Sequence, residues 1–232
     1  MAVLTSVAAV LIAYAIGSLS FAVLVSRGFG LADPRSYGSK NPGATNVLRS
    51  GHRGAAVLTL ALDALKGYVP VWLALLMSPR FGFGDITIAF VGLAAFLGHL
   101  WPLFFRFNGG KGVATAAGVL FAFNPWLGLA TLLTWVIIAA FFRYSSLASI
   151  VSAVFAPFYQ LLIWEPSPIA LAIAVMSLLL IWRHSGNIRK LLEGTESKLG
   201  QKASSATTVT AHPHSAHPPR HPHHPHPKKG KH

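Results

Sequence analysis

Apolar residues in this chain fall in long, nearly uninterrupted runs separated by short polar stretches, with neither the period of two of a half-buried strand nor the single stripe of a surface helix. The runs cover residues 2–26, 55–77, 86–105, 113–123, 126–142, 147–163 and 169–182. Most are long enough to approach or cross a ~30 Å hydrocarbon core at 1.5 Å per residue. The pattern predicts an all-α polytopic membrane protein with about seven transmembrane helices. The run 113–123 is short and ends at Asn124-Pro125. If it is re-entrant, the count falls to about six.

Charge placement separates these readings. The first run has no Lys or Arg ahead of Arg27, unlike a signal peptide, so it reads as a span with its N-terminus outside. Seven crossings then gather Arg27, Arg35, Lys40, Arg49, Arg53, Arg106, Lys111, Arg143, Arg183, Arg189, Lys190, Lys198 and Lys202 on one side. The other side keeps Arg80 beside Asp85 and Glu165. The positive-inside rule makes the basic side cytoplasmic and puts the C-terminus there too. Six crossings would place the last basic block outside, so seven is preferred.

From Ala203 the composition changes to Thr, Ala, Ser, Pro and His, with eight histidines between His212 and His232. Residues 1–202 therefore read as one membrane-integral domain and 203–232 as a disordered cytoplasmic tail. Soft binding of a divalent transition metal by the tail is the weaker alternative.

Composition agrees: 53% of residues are hydrophobic and 11% charged, and there is no cysteine, which excludes disulfides and thiolate chemistry. Of the net charge of +13, four units (Arg220, Lys228, Lys229 and Lys231) belong to the tail, leaving +9 for the body. The body's cations lie between apolar runs rather than on one face, which argues against nucleic acid as a partner.

Polar residues concentrate in three segments on the basic side. The first is Ser39-Lys40-Asn41-Pro42-Gly43-Ala44-Thr45-Asn46-Val47-Leu48-Arg49. Gly43 allows close backbone approach, Ser39, Asn41, Thr45 and Asn46 add short donors, and Arg49 is a fork suited to phosphate. A solvated basic loop with a helix cap is the plainer alternative. The second, 98–115, holds Gly109-Gly110-Lys111-Gly112 before an apolar helix, a turn that can curl around an oxyanion. It is not a nucleoside-triphosphate loop, because Gly112 occupies the Ser/Thr place after the lysine. The third, 183–196, follows the last run and holds His184 and Asn187, which share a face if helical; blandly, it is an interfacial helix. Asp63 and Lys66 lie at i, i+3 within the second run, where ionisable residues are costly unless paired or functional. Residues 143–149 add hydroxyls, among them Ser149, at the cytoplasmic mouth.

Taken together, these segments resemble the bacterial family of acyl-phosphate-dependent glycerol-3-phosphate acyltransferases. The resemblance rests on residues 38–49, 98–115 and 184–196, with Asp63, Lys66, Gly67 and 145–149, in order over roughly 5–200. Lys40 stands where glycine is usual. The resemblance implies an enzyme of the bacterial inner membrane, its active site facing the cytoplasm. It would acylate the 1-hydroxyl of sn-glycerol 3-phosphate from an acyl phosphate, giving lysophosphatidic acid and phosphate, the first step of phospholipid synthesis. It implies no cofactor or metal, and as partners the two substrates, membrane lipid and, as a candidate, the soluble enzyme that makes acyl phosphate. The expected site comprises His184, Asn187 and Ser39 as catalytic residues. Arg49, Lys111, Gly109, Gly110, Gly112, Thr45, Asn46, Asn41 and Ser149 would bind substrate or phosphate. The general base is left open between His184 and a substrate phosphate, and His99 is read as structural. A His followed five positions later by Asp, as other glycerolipid acyltransferases use, is absent. The competing class is a membrane transporter of a phosphorylated anion, which should carry its charges near the bilayer midplane.

Overall fold

The computed structural model describes residues 2–163 and 165–200, and the His- and Pro-rich stretch from Ala203 lies outside them. Ten α-helices and one 3-10 turn make up these residues, with no strand among them. Four helices are each long and apolar enough to cross a membrane: α4 (Arg53–Phe81), α5 (Asp85–Leu100, extended by the 3-10 turn Leu103–Phe105), α7 (Pro125–Phe142) and α8 (Ser145–Ile163). Two bent pairs pass the same test as units. They are α1 (Ala2–Gly17) with α2 (Phe21–Gly28), bent by 43°, and α9 (Pro168–Arg183) with α10 (Ser185–Leu192), bent by 55°. The remaining helices are the short α3 (Ala44–Leu48) and α6 (Val113–Phe123).

The outer surface is apolar, with Leu162 84%, Phe141 81% and Leu11 63% exposed, as expected where lipid is the solvent. Without a hydrophobic drive between helices in lipid, close packing of small residues sets the contacts. Two crossings show it. Gly17 of α1 lies against the Ala95 backbone of α5 while Gly98 of α5 lies against Tyr14 and Ser18. Gly67 of α4 likewise meets the Thr115 carbonyl of α6 while Gly118 of α6 meets the Ala64 carbonyl. In each reciprocal pair a Cβ would run into backbone, so alanine would push the helices apart.

Helix starts follow local chemistry. Asn124 caps α7, its Oδ1 accepting from the N–H groups of Trp126 (2.8 Å) and Leu127 (3.3 Å), and Pro125 opens the helix. Ser167 caps α9 in the same way, with Pro168 next. Helix α6 spans only about 16 Å at 1.5 Å per residue, half a ~30 Å core. Its start is sunk into the bundle, since Gly109, Gly110 and Gly112 are all buried.

The first apolar run, read as one span, is broken at residues 18–20. The break frees backbone carbonyls, and the buried Lys66 ammonium donates to Leu19 O at 2.7 Å. Lys66 also pairs with Asp63 at 2.8 Å. The i, i+3 pair of the second run is thus both a mutual ion pair and a brace for the break in the first.

Candidate functional site

A cavity of about 620 Å³ opens among α4, α6, α7, α8 and α9. At its polar end it is lined by Ser39, Asn41, Thr45, Arg49, Lys111 and Asn187. Farther in, Leu60, Leu120, Leu132, Trp135, Ile173 and Met176 make it apolar. One chamber therefore joins a cationic mouth to a greasy barrel.

The first segment is shaped by a single buried amide. Asn46, 2% exposed, accepts from the Ser39 N–H through Oδ1 (3.0 Å). Its Nδ2 donates to Pro34 O (2.6 Å) and Tyr37 O (3.2 Å). With both ends of the amide engaged, Asn46 sets the loop's course, although it also borders the cavity. Lys40 sits at φ 56°, a left-handed conformation that explains why glycine suits the position. Arg49 ends α3, and its guanidinium has no hydrogen-bond partner among the described residues.

The second segment is a platform for Lys111. Gly110 N–H donates to His99 O at 3.1 Å, so this amide is already spent. Arg183 reaches across from the end of α9: Nη2 donates to Gly109 O (2.9 Å) and Gly110 O (3.0 Å), and Nε donates to Gly110 O (3.1 Å). A Cβ on Gly110 would strike the His99 ring and approach Pro42 O at 2.9 Å. Gly109 and Gly110 thus sit behind the cavity rather than in its wall. Gly112, at φ 82°, does line it and turns the chain into α6.

The third segment supplies a hydrogen-bonded chain across the mouth. The Lys111 ammonium donates to Asn187 Oδ1. Asn187 Nδ2 donates to Glu196 Oε1 at 2.7 Å, and Ser146 Oγ donates to the same oxygen at 2.7 Å. Leu199 N–H donates to Arg143 O (2.6 Å), strapping the segment over the α7–α8 turn. Lys111 is pushed down to about 8, chiefly by burial; Glu196 opposes the shift, while Arg49, Lys190 and Arg183 reinforce it. A partly desolvated cation beside an unpaired arginine is a site for a multivalent anion.

His184 does not face this chamber. It is 2% exposed, and its Nδ1–H donates to Leu180 O at 2.8 Å. Its pKa is pushed down to about 4, first by burial and then by the nearby Lys111 charge. Its backbone carbonyl accepts from Asn187 N–H (2.8 Å) at the start of α10, so the two residues share a turn but not a target. Ser149 lines the cavity with its hydroxyl engaged, donating to Ser145 O (2.7 Å) and accepting from Trp135 Nε1–H (3.1 Å).

His99, read from sequence as structural, does line the cavity. Thr115 Oγ1 donates its one proton to Asp63 O (2.9 Å), so it accepts from His99 Nδ1 at 3.0 Å. Asp63 Oδ1 lies 3.7 Å from the same nitrogen. The ion pair within α4 is thereby connected through His99 to the glycine turn that carries Lys111. Sequence reasoning missed Arg183, Glu196 and Ser146 as members of the site. Arg183 looks like any interfacial anchor after a span, and only the tertiary fold reveals its two carbonyl partners. Nothing in the sequence separates Glu196 from Glu193, three residues before it; in the fold Glu193 is exposed, whereas Glu196 accepts from Asn187 and Ser146.

A family model described as glycerol-3-phosphate acyltransferase matches residues 7–194, which include the first two segments and the third as far as Gly194. The glycerol-3-phosphate acyltransferase of Ralstonia nicotianae is 68% identical over 190 residues, covering 82% of this chain and 92% of the relative. That of Burkholderia multivorans is 62% identical over 205 residues, covering 88% and 95%. Among solved structures, the glycerol 3-phosphate form of PlsY (YgiH), an integral membrane glycerol 3-phosphate acyltransferase, superposes with a TM-score of 0.79 at 40% identity, covering 84% of this chain and 96% of that one. Its lysophosphatidic acid form gives 0.77 at 39% identity, covering 84% and 95%. The chain belongs to the membrane-integral glycerol-3-phosphate acyltransferase family.

Proposed function

We propose that this glycerol-3-phosphate acyltransferase takes its acyl group from an acyl phosphate and delivers it to the 1-hydroxyl of sn-glycerol 3-phosphate, releasing lysophosphatidic acid and inorganic phosphate. The observation that carries the reading is the union of a cationic mouth and an apolar barrel in one cavity. Removing phosphate dianions from water costs several kcal/mol per charge, on the order of what paired cations and donors return. Arg49, Lys111, Ser39, Asn41 and Thr45 are the groups available for that exchange, and the barrel accepts an acyl chain. Asn46, Gly109, Gly110 and Arg183 hold these groups in position.

An acyl phosphate is already activated, so the chain needs to supply positioning and charge stabilisation rather than a nucleophile. The glycerol hydroxyl oxygen attacks the acyl carbon, the bond from that carbon to the phosphate oxygen breaks, and the hydroxyl proton passes to a phosphate oxygen. A substrate phosphate is favoured as the acceptor over His184, whose imidazole is turned away toward Leu180 O. Lys111 and Asn187 lie where they can offset charge developing on the leaving phosphate and the acyl oxygen.

The same reading takes the protein as a seven-span protein of the bacterial inner membrane, N-terminus outside, with the site on the cytoplasmic side. Helix α6, short as it is, is taken as the seventh crossing because six crossings would put the last basic block on the opposite side from the other cations. Since the chain has no native cysteine, single cysteines placed at Lys40, Gly82, Arg106 and Asn124 can be labelled from either side of intact vesicles. Labelling of positions 40 and 106 from the same side as 82 would overturn the topology.

The activity test is purified protein in lipid given glycerol 3-phosphate with acyl phosphate, acyl-CoA or acyl carrier protein separately. Lysophosphatidate from acyl phosphate alone is the expected result. Product from a thioester donor at equal rate would overturn the donor assignment. Counterflow of phosphate ester without product would favour the transporter.

A further inference from the structure

Gly110 has both of its backbone hydrogen-bonding groups spent. Its N–H donates to His99 O (3.1 Å), a carbonyl in the last turn of α5 with no partner inside that helix. Its own carbonyl accepts from Arg183 of α9. The residue before Lys111 is therefore clamped between two helices. Unlike Gly112, Gly110 does not take the left-handed conformation, so its own backbone does not ask for glycine. The demand comes from its neighbours. A Cβ at 110 would strike His99 Nε2 and lie 3.1 Å from His99 Cδ2 and 2.9 Å from Pro42 O. Pro42 stands between Asn41 and Gly43, which both line the cavity. The His99 ring and the first two polar segments thus meet around one point.

The two edges of that ring have different surroundings. Nδ1–H donates to Thr115 Oγ1 (3.0 Å), and Asp63 Oδ1 lies 3.7 Å from the same nitrogen, so this edge is moored to α6 and α4. Nε2 has no hydrogen-bond partner among the described residues and stands over Gly110. A buried ring fixed along one edge cannot yield readily at the other, because packed interiors transmit displacement rather than absorb it. His99 is 7% exposed and lines the cavity, so it sits where such a spacer would bear on the phosphate-binding groups.

We propose that His99 is a positioning residue for the acyl transfer: the Nε2 edge of its ring sets the separation between residues 41–43 and Lys111, and with it the fit of glycerol 3-phosphate. It acts through Gly110 and Pro42 and not on the reacting atoms. The inference rests on the reading of Lys111 and the first segment as phosphate-binding groups.

The test separates the two edges by substitution in the full-length protein in lipid, with steady-state kinetics and thermal unfolding measured on each variant. Asparagine carries its amide nitrogen as many bonds from Cα as Nδ1, so His99→Asn keeps the donor to Thr115 and removes the Nε2 edge. Its unfolding temperature should stay close to the parent's, while KM for glycerol 3-phosphate rises about tenfold and kcat stays within about threefold. Gly110→Ala drives a methyl into the same edge and should raise KM at least as far. In the double variant His99→Asn, Gly110→Ala, the methyl takes the room that Nε2 leaves, and KM should fall back at least about threefold from its value in Gly110→Ala. A purely structural histidine would not give that reciprocal rescue. Should His99→Asn fail to fold, His99→Gln, whose amide reaches the place of Nε2, must keep KM within about threefold of the parent. A folded His99→Asn protein with the parent's KM, or a double variant no better than Gly110→Ala, overturns the inference. A Lys111→Ala protein that keeps the parent's KM would instead count against the phosphate-binding reading beneath it.

Discussion

Arg183 grips the Gly110 carbonyl with two donors at once, Nε at 3.1 Å and Nη2 at 3.0 Å, while Nη2 also reaches Gly109 O. This grip comes from the far end of the last long helix and fixes the turn that presents Lys111. The tail of the bundle and its glycine turn are therefore one mechanical unit.

Arg183→Lys keeps the charge but loses the fork, because an ammonium cannot span two carbonyls in a plane. We expect KM for glycerol 3-phosphate to rise about tenfold while kcat stays within about threefold, the loss of roughly one charged hydrogen bond. Steady-state kinetics at saturating acyl phosphate check it. A fall in kcat with KM unchanged would mean Arg183 acts on the reacting atoms themselves.

Lys111 gives the pH dependence its sign. Burial holds it down to about 8, so the ammonium is present below that pH and lost above it. Phosphate monoesters complete their second ionisation near pH 6, on the order of a unit below neutrality. kcat/KM for glycerol 3-phosphate should accordingly rise through the lower value and fall through the upper one. In Lys111→Arg the alkaline fall should disappear from the accessible range, since guanidinium stays charged.

The Asp63–Lys66 pair predicts a non-additive stability effect. Lys66→Met strands a buried carboxylate and should cost about 3–5 kcal/mol. Removing both charges with Asp63→Leu, Lys66→Met should recover much of that, leaving mainly the unsatisfied Leu19 carbonyl. Thermal unfolding in one detergent compares the three proteins; a double variant less stable than Lys66→Met would contradict the pairing.

His184 is predicted to position rather than to titrate. In His184→Asn the side-chain amide can still donate to Leu180 O, and activity should stay within about fivefold, whereas His184→Ala should lose on the order of tenfold or more. The acid limb of the pH profile should sit at the same place in His184→Asn as in the parent. Its disappearance would identify His184 as the base.

The helical, membrane-embedded character of the chain was legible because hydropathy in lipid is a one-dimensional property. The three polar segments were legible too, since a connector rarely carries as many donors as residues 39–49. The break at residues 18–20 was not, because Gly17 and Ser18 inside an apolar run read equally well as close-packing residues. The roles within segments were the least accessible. His184 and Asn187 share a helical spacing, yet Asn187 lines the cavity and His184 turns its ring toward Leu180 O. Gly109, Gly110 and Gly112 look alike in sequence, yet only Gly112 borders the chamber. Which side of a turn faces a ligand depends on what braces the other side, here His99 and Arg183, and no local pattern carries that.

The hydrogen bond from Lys66 to Leu19 O also bears on how the protein is born. The acceptor precedes its donor by 47 residues. When the first helix leaves the ribosome, the Leu19 carbonyl at its break still lacks the ammonium that it accepts from in the folded protein. It can settle only after the fourth helix has been synthesised and has entered beside it. The first two long segments of the chain are therefore obliged to mature in the membrane as a pair, and membrane integration of the N-terminal helix alone should be inefficient.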